Sequence, residues 1–503
     1  MLAAVRRGAM ASFSPLSGRH TVRDFTAFDL SAPETHHRPA PGALLLDVRG
    51  IRTPGLGDTT YLLSHNGVGV VVDPQRDVQR FLDQADIAGV RIRYVLETHV
   101  HNDYVWGGRE LARRAQAELV LPAGAGVAFD HTPAFHLEDL AGESNRLTVR
   151  PIHTPGHTPE HLSYLVLVDG QPAALFSGGS LLVGSAGRPD LLGVERAHQL
   201  AVAQFHSVQR LARLPDELGL YPTHGEGSFC AASGAGRTTS TIGVEKAANP
   251  LLQHHTAEAF AQAQLASLQP YPKYYAFMGG INTLGPQPLL QQPVPELSPE
   301  LARAQLSEVQ VVDARPRAAF ANGHIPGSIG VEMADDFGTW VGWLLPFNMP
   351  IVLVLEPDQD LSEAVVQLGR IGFDRVRGVV RGMAKWQTAG YEIASYAVVT
   401  TDQFARAVAD GTARQVLDVR APAEWQMGSL PGAIWRYVPD LVDSDPAELD
   451  SDAAVWVVCA SGFRASIAAG LLERRGYRPV VLADGGVGDV VRHLSSVSVD
   501  RTP

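Results

Sequence analysis

VVDARPRAAFANGHIPGSI, residues 311–329, returns as VLDVRAPAEWQMGSLPGAI at residues 416–434, a constant offset of 105. Each copy leads into a short apolar run, IVLVL at 351–355 and VWVVC at 455–459, then a helical stretch and a Gly-rich segment. Strands alternating with helices at this spacing predict parallel sheets covered by helices on both faces. The period is too long for a solenoid repeat, so the copies are two tandem α/β domains.

Working outward from the repeat, the Pro- and Gln-rich LGPQPLLQQPVPELSP (284–299) reads as a linker. Upstream of it, short β-type runs alternate with helical ones: LLLDV (44–48), GVGVVVD (67–73), RYVLETH (93–99), LTVRPIH (147–153) and AALFSGG (173–179). The expected division is a tail at 1–41, an α/β domain at 42–283, the linker, and repeat domains at 300–394 and 395–503. Polar clusters follow the strand ends of the first domain, where loops usually carry chemistry.

Composition narrows the function classes. The 503 residues are 45% hydrophobic and 19% charged, with a formal net charge of -12 and no dense Lys/Arg run. That balance argues for a soluble globular protein without a nucleic-acid surface. Only Cys230 and Cys459 are cysteines, which excludes a disulfide framework and fits a reducing cytoplasm. The start, MLAAVRRGAMASFSPLSGRH, lacks the apolar core of a secretion signal; it reads as a disordered tail in preference to an organelle-targeting peptide. The uncharged GTWVGWLLPFNMPIVLVL (338–355) imitates a membrane span, but Pro346 and Pro350 would break a helix there. It is expected to be an apolar loop entering a buried strand.

CASGFR (459–464) stands between a strand and a helix. At such a turn a cysteine faces backbone N–H groups and the positive end of a helix dipole, both of which favour a thiolate. Ala460, Ser461, Gly462 and Phe463 form the loop and Arg464 closes it with fixed positive charge. Together with the preceding DVR and PGA segments, this loop resembles that of rhodanese sulfurtransferases, whose cysteine-to-arginine span is six residues. The resemblance implies that Cys459 carries sulfane sulfur as a persulfide, with Arg464 as its partner. In the first copy Leu355 stands where Cys459 stands in the second, so that domain is expected to be inert.

The first domain holds VVVDPQRDV (70–78), THVHNDYVWGG (98–108), IHTPGHTPEHLSY (152–164), LFSGGSLLVGSAGRPDL (175–191) and YPTHGEGSFC (221–230). In this order they resemble the metallo-β-lactamase fold, an αββα sandwich, and its persulfide dioxygenase and glyoxalase II branch. Two departures stand out. The family's H-x-H-x-D-H ends in Tyr104, and its FTGD motif reads FSGG, with Gly179 in place of the metal-binding aspartate. The resemblance then implies one zinc or Fe(II) on His99, His101 and His157, a weak second position at Asp103 and His224, or a metal-free domain. Cys230 is expected to be a packing residue in preference to a second sulfur handler, and Gly179→Asp, alone or with Tyr104→His, to raise iron loading. The substrates implied are thiosulfate or a low-molecular-weight thiol or persulfide, with no nucleic acid or membrane partner and with homo-oligomers allowed. A glyoxalase II-type thioesterase and an active persulfide dioxygenase are the alternatives.

Overall fold

The computed structural model describes residues 21–25, 46–140, 146–230, 237–289, 293–444 and 446–499. Apart from the strand Thr21–Phe25, the 1–41 tail lies outside the described residues, as do residues 290–292 of the linker.

Two sheets face each other in the N-terminal domain. The first runs Thr21–Phe25, Leu46–Thr53, Asp58–His65, Val68–Val72, Arg91–Leu96, Glu118–Pro122, Thr132–Ala134. The second runs Ser240–Thr241, Gly219–Pro222, Gln171–Gly178, Leu162–Val168, Leu147–His153. Because side chains alternate across a strand, Leu63, Val70, Val72 and Leu96 point inward onto Tyr164, Val166 and Phe176 of the second sheet. Their neighbours Leu62, Val71 and Val95 point outward onto Phe81 of helix Gln79–Ala88 and Leu111 of helix Gly108–Ala115. On the far side, Leu165, Leu167 and Leu175 pack against Val208 and Leu211 of helix Val194–Leu211. Each such side chain contributes roughly 1.5–3 kcal/mol of burial. The result is the expected αββα sandwich.

The two repeats form all-parallel sheets. The first is ordered Ile329–Gly330, Gln310–Asp313, Ile351–Leu355, Val376–Arg381. The second is ordered Ala397–Val399, Arg478–Leu482, Ala454–Val458, Gln415–Asp418, Ile434–Trp435. In each, an aspartate at a strand end pairs with an arginine two residues on: Arg315 Nη2 to Asp313 at 2.7 Å and Arg420 Nη2 to Asp418 at 2.7 Å. The same arginines donate to Gly323 and Gly428 carbonyls, pinning the following turn. Sheet register also aligns the copies. Asp313 pairs with Val354 and Asp418 with Val458, so Leu355 and Cys459 occupy equivalent positions.

Within 338–355, Ile351–Leu355 is the expected buried strand, but the segment before it differs from expectation. Phe337–Leu344 is an α-helix, not a loop, and every one of its residues is buried. Apolar residues all round a helix mean burial on all sides, and here the surroundings come from three domains. Trp343 meets Phe229 of the N-terminal domain edge-on at 5.4 Å and Tyr437 of the second repeat at 5.7 Å. Trp340 packs on Phe463 of the CASGFR loop at 5.9 Å. Thr339 donates to the Gly55 carbonyl at 2.6 Å, while Arg370 grips Asp77 and Arg76 grips Asp374. The first repeat is thus wedged between its neighbours. No helix among the described residues is long and apolar enough to cross a membrane.

Candidate functional site

Strand Ala454–Val458 delivers Cys459 to the N-terminus of helix Phe463–Glu473. Gly462 caps that helix at φ 83°, and a Cβ there would lie 2.4 Å from the Ala483 carbonyl oxygen. A Cβ on Gly486 would lie 2.0 Å from the Ala460 carbonyl oxygen. Glycine at both positions therefore lets the loop close on itself. Within it, the N–H groups of Gly462 and Ser461 donate to Cys459 Sγ at 3.1 and 3.5 Å. Cys459 is buried, while Ala460 and Ser461 form an exposed rim. Arg464 makes a two-pronged ion pair with Glu424, at 2.5 and 2.8 Å. Burial works against its charge, but Glu424 and the Cys459 sulfur outweigh that and hold the guanidinium above its usual range. Glu424 lies within the second repeat copy (416–434), but nothing in the sequence reading assigned it a role at the CASGFR loop.

The second cluster gathers at the strand ends of the sandwich. His99, His101, Asp103, His157, His161 and His224 are all essentially inaccessible to solvent. His99 and His161 stack, with ring centroids 4.9 Å apart. His224 Nδ1 lies 2.8 Å from Asp58 and 3.2 Å from Asp103. His101 Nε2 accepts or donates at 3.0 Å to the Tyr104 hydroxyl and lies 3.3 Å from Asp73. Tyr104, standing at the family's histidine position, thus caps a neighbouring ring.

Electrostatics divides the histidines into two groups. Burial dominates for His99 and His157, pushing His157 down to about 3 with help from His224. Both shifts favour the neutral ring. Burial opposes charge on His224 too, but Asp103 and Asp58 outweigh it and lift the ring to about 10. His101 is raised in the same way by Asp73 and Asp103. Burial also works against ionisation of Asp103, yet His224 and His101 hold it well below the carboxylate range. Glu97, beneath the cluster, is raised well above the carboxylate range by burial and then by Asp73.

The expected trio of His99, His101 and His157 is not the set that closes. Ligand atoms within 4.8 Å of one another belong to His99, His101 and His224; to His157, His224 and Cys230; to Asp58, Asp103 and His224; and to Asp73, Glu97 and His101. Gly179 bears on this arrangement: a Cβ there would fall 2.2 Å from His157 Cδ2, so the imidazole occupies the space where an aspartate side chain would begin. A side chain at 179 and the present position of the ring exclude each other, and the His157 ligand atom lies within 4.8 Å of those of His224 and Cys230. The weak pair Asp103 and His224 gains Asp58, which no spacing in the sequence marked. The family's iron site of two histidines and an aspartate does not fit these residues.

Comparisons with known proteins agree with this architecture. The metallo-beta-lactamase superfamily model matches residues 53–224, and the rhodanese-like domain model matches 298–389 and 400–493. A hydroxyacylglutathione hydrolase of Acidiphilium cryptum (strain JF-5) is 32% identical over 250 residues, covering 43% of this chain and 94% of its own length. One from Methylobacillus flagellatus is 28% identical over 240 residues, covering 43% and 91%. Among solved structures, a metallo-beta-lactamase from Staphylococcus aureus subsp. aureus COL superposes with a TM-score of 0.60 at 28% identity, over 68% of this chain and 99% of that one. ETHE1 from Myxococcus xanthus covers 47% of this chain and 97% of its own, at 27% identity and a TM-score of 0.41. The chain belongs to the metallo-beta-lactamase superfamily, as a glyoxalase II-like domain continued by two rhodanese-like domains.

Proposed function

We propose that the chain is a cytoplasmic sulfurtransferase that carries sulfane sulfur on Cys459. The observation that supports this most directly is the cradle of two N–H groups aimed at Sγ beneath a helix N-terminus. The thiolate attacks the outer sulfur of thiosulfate or of a low-molecular-weight persulfide. The S–S bond of the donor breaks, and sulfite or a thiolate leaves with the electron pair. The new terminal sulfur is anionic, and the loop N–H groups with Arg464 stabilise it. A thiol or cyanide then takes that sulfur and Cys459 departs as thiolate. The N-terminal domain is read as the binding site for the thiol or persulfide partner. No step is routed through a metal, because the iron set of the family does not fit around Gly179.

Thiosulfate:cyanide transfer by Cys459→Ser should fall to the uncatalysed background. Activity near wild type would refute the proposal. A second reading, thioester hydrolysis in the N-terminal domain, draws on the likeness to hydroxyacylglutathione hydrolases. Glutathione-thioester cleavage that survives Cys459→Ser would favour it.

A further inference from the structure

We propose that His157, His224 and Cys230 form a metal site in which the Cys230 thiolate supplies the anionic ligand that Gly179 cannot. The ligand atoms of the three lie within 4.8 Å of one another and all three side chains are buried. His157 carries the strongest indication of a missing partner. Its Nδ1 donates to the Arg188 carbonyl at 2.8 Å, so Nε2 presents a bare lone pair, and that buried atom has no hydrogen-bond partner. A buried polar atom left so costs about 1–3 kcal/mol unless something meets it.

The supporting residues are arranged as those of a ligand set. Arg188 holds two of the three ligands at once: its carbonyl accepts from His157, and its backbone N–H donates to the Cys230 carbonyl at 3.0 Å. Its guanidinium is fixed by Asp190 at 2.7 and 2.8 Å, and donates to the Phe229 and Gln269 carbonyls. His224 is oriented by Asp58. Ligating histidines characteristically have their second ring nitrogen fixed in this manner. Gly179 and Gly187 flank the His157 ring, with would-be Cβ atoms 2.2 and 3.0 Å from it, so the space for this ring orientation is built into the backbone.

Of the other sets that share His224, His99, His101 and His224 has no anionic member, and in Asp58, Asp103 and His224 both carboxylates are already paired with His224 Nδ1, at 2.8 and 3.2 Å. His101 Nε2 is already engaged by Tyr104 and Asp73. Two imidazoles and a thiolate suit a borderline divalent cation of the zinc class and disfavour magnesium or calcium. On binding, the Cys230 S–H, which donates to Asp103 Oδ2 at 3.6 Å, and the His224 Nε2–H give way to sulfur–metal and nitrogen–metal bonds, and two protons pass to solvent. This site is independent of sulfur transfer at Cys459, and its test is spectroscopic.

With only two cysteines in the chain, full-length Cys459→Ser protein contains a single thiol. After chelator treatment, cobalt(II) should bind that protein and give a thiolate-to-cobalt charge-transfer absorption in the near ultraviolet. The absorption should vanish in Cys459→Ser/Cys230→Ser. His157→Gln should weaken cobalt binding at least about tenfold, as loss of a ligand contact does. Cobalt bound without the charge-transfer absorption, no cobalt binding, or an affinity unchanged in His157→Gln would each overturn the proposal.

Discussion

Motif comparison alone suggests that Gly179→Asp repairs the metal site; the geometry argues the reverse. A Cβ at this position falls 2.2 Å from His157 Cδ2, 2.7 Å from Nε2 and 2.8 Å from Cγ. The ring cannot simply yield. Its Nδ1 is tied to the Arg188 carbonyl, and Gly187 closes the other side. Displacing it loses a hydrogen bond, about 0.5–1.5 kcal/mol, and overpacks a filled site, about 1–3 kcal/mol. The combined cost is about 1.5–4.5 kcal/mol, in a domain where each kcal/mol moves the melting midpoint roughly 2–4 °C. Gly179→Asp should therefore melt between about 3 and 18 °C below wild type by calorimetry, and bind no more Fe(II) than wild type by elemental analysis. Gly179→Ala, adding Cβ without charge, should show most of the same loss. A Gly179→Asp protein that melts at the wild-type temperature and gains iron would refute the reasoning.

Other consequences follow from single contacts. Arg464→Lys loses the two-pronged bond to Glu424; charge-assisted bonds are worth about 1.5–3 kcal/mol, so thiosulfate:cyanide turnover should drop roughly 10–100-fold, with far-ultraviolet dichroism unchanged. Gly462→Ala places a Cβ against the Ala483 carbonyl at positive φ, and should reduce transfer at least about tenfold while the fold persists. Trp343→Ala removes the ring shared by Phe229 and Tyr437; at about 3–5 kcal/mol for such a truncation, it should split the thermal transition in two, and a single unshifted transition would count against the wedge. At the same interface burial would raise Asp77, but Arg80 and Arg370 outweigh it and hold its pKa below the ordinary 3.8. Its stabilisation is complete above about pH 4 and fades as pH falls through the lower folded value. Acid-unfolding curves of wild type and Asp77→Asn should separate above pH 4 and converge below it.

What the sequence made legible was whatever depends on local order along the chain. The offset repeat, the alternating runs and the strand-turn-helix around Cys459 each carry their physics within about twenty residues, and the sheets confirm them down to the equivalence of Leu355 and Cys459. The helix Phe337–Leu344 was not legible because burial from three sides has no periodic signature, although the buried strand Ile351–Leu355 after it was. An all-apolar helix and an apolar loop read alike until its neighbours, Phe229, Tyr437 and Phe463, are known. The grouping of the histidine cluster was hidden for a related reason, being set by contacts distant along the chain. His99, His101 and Asp103 share one loop, and Asp73 and Cys230 lie in the quoted motifs, but Asp58 opens the strand Asp58–His65, which no motif marked. Gly179 shows the limit most sharply: in sequence it is only a missing carboxylate, and in space it makes room for His157. The bare backbone at Gly179 and the place of the His157 ring depend on each other, a link visible only in three dimensions.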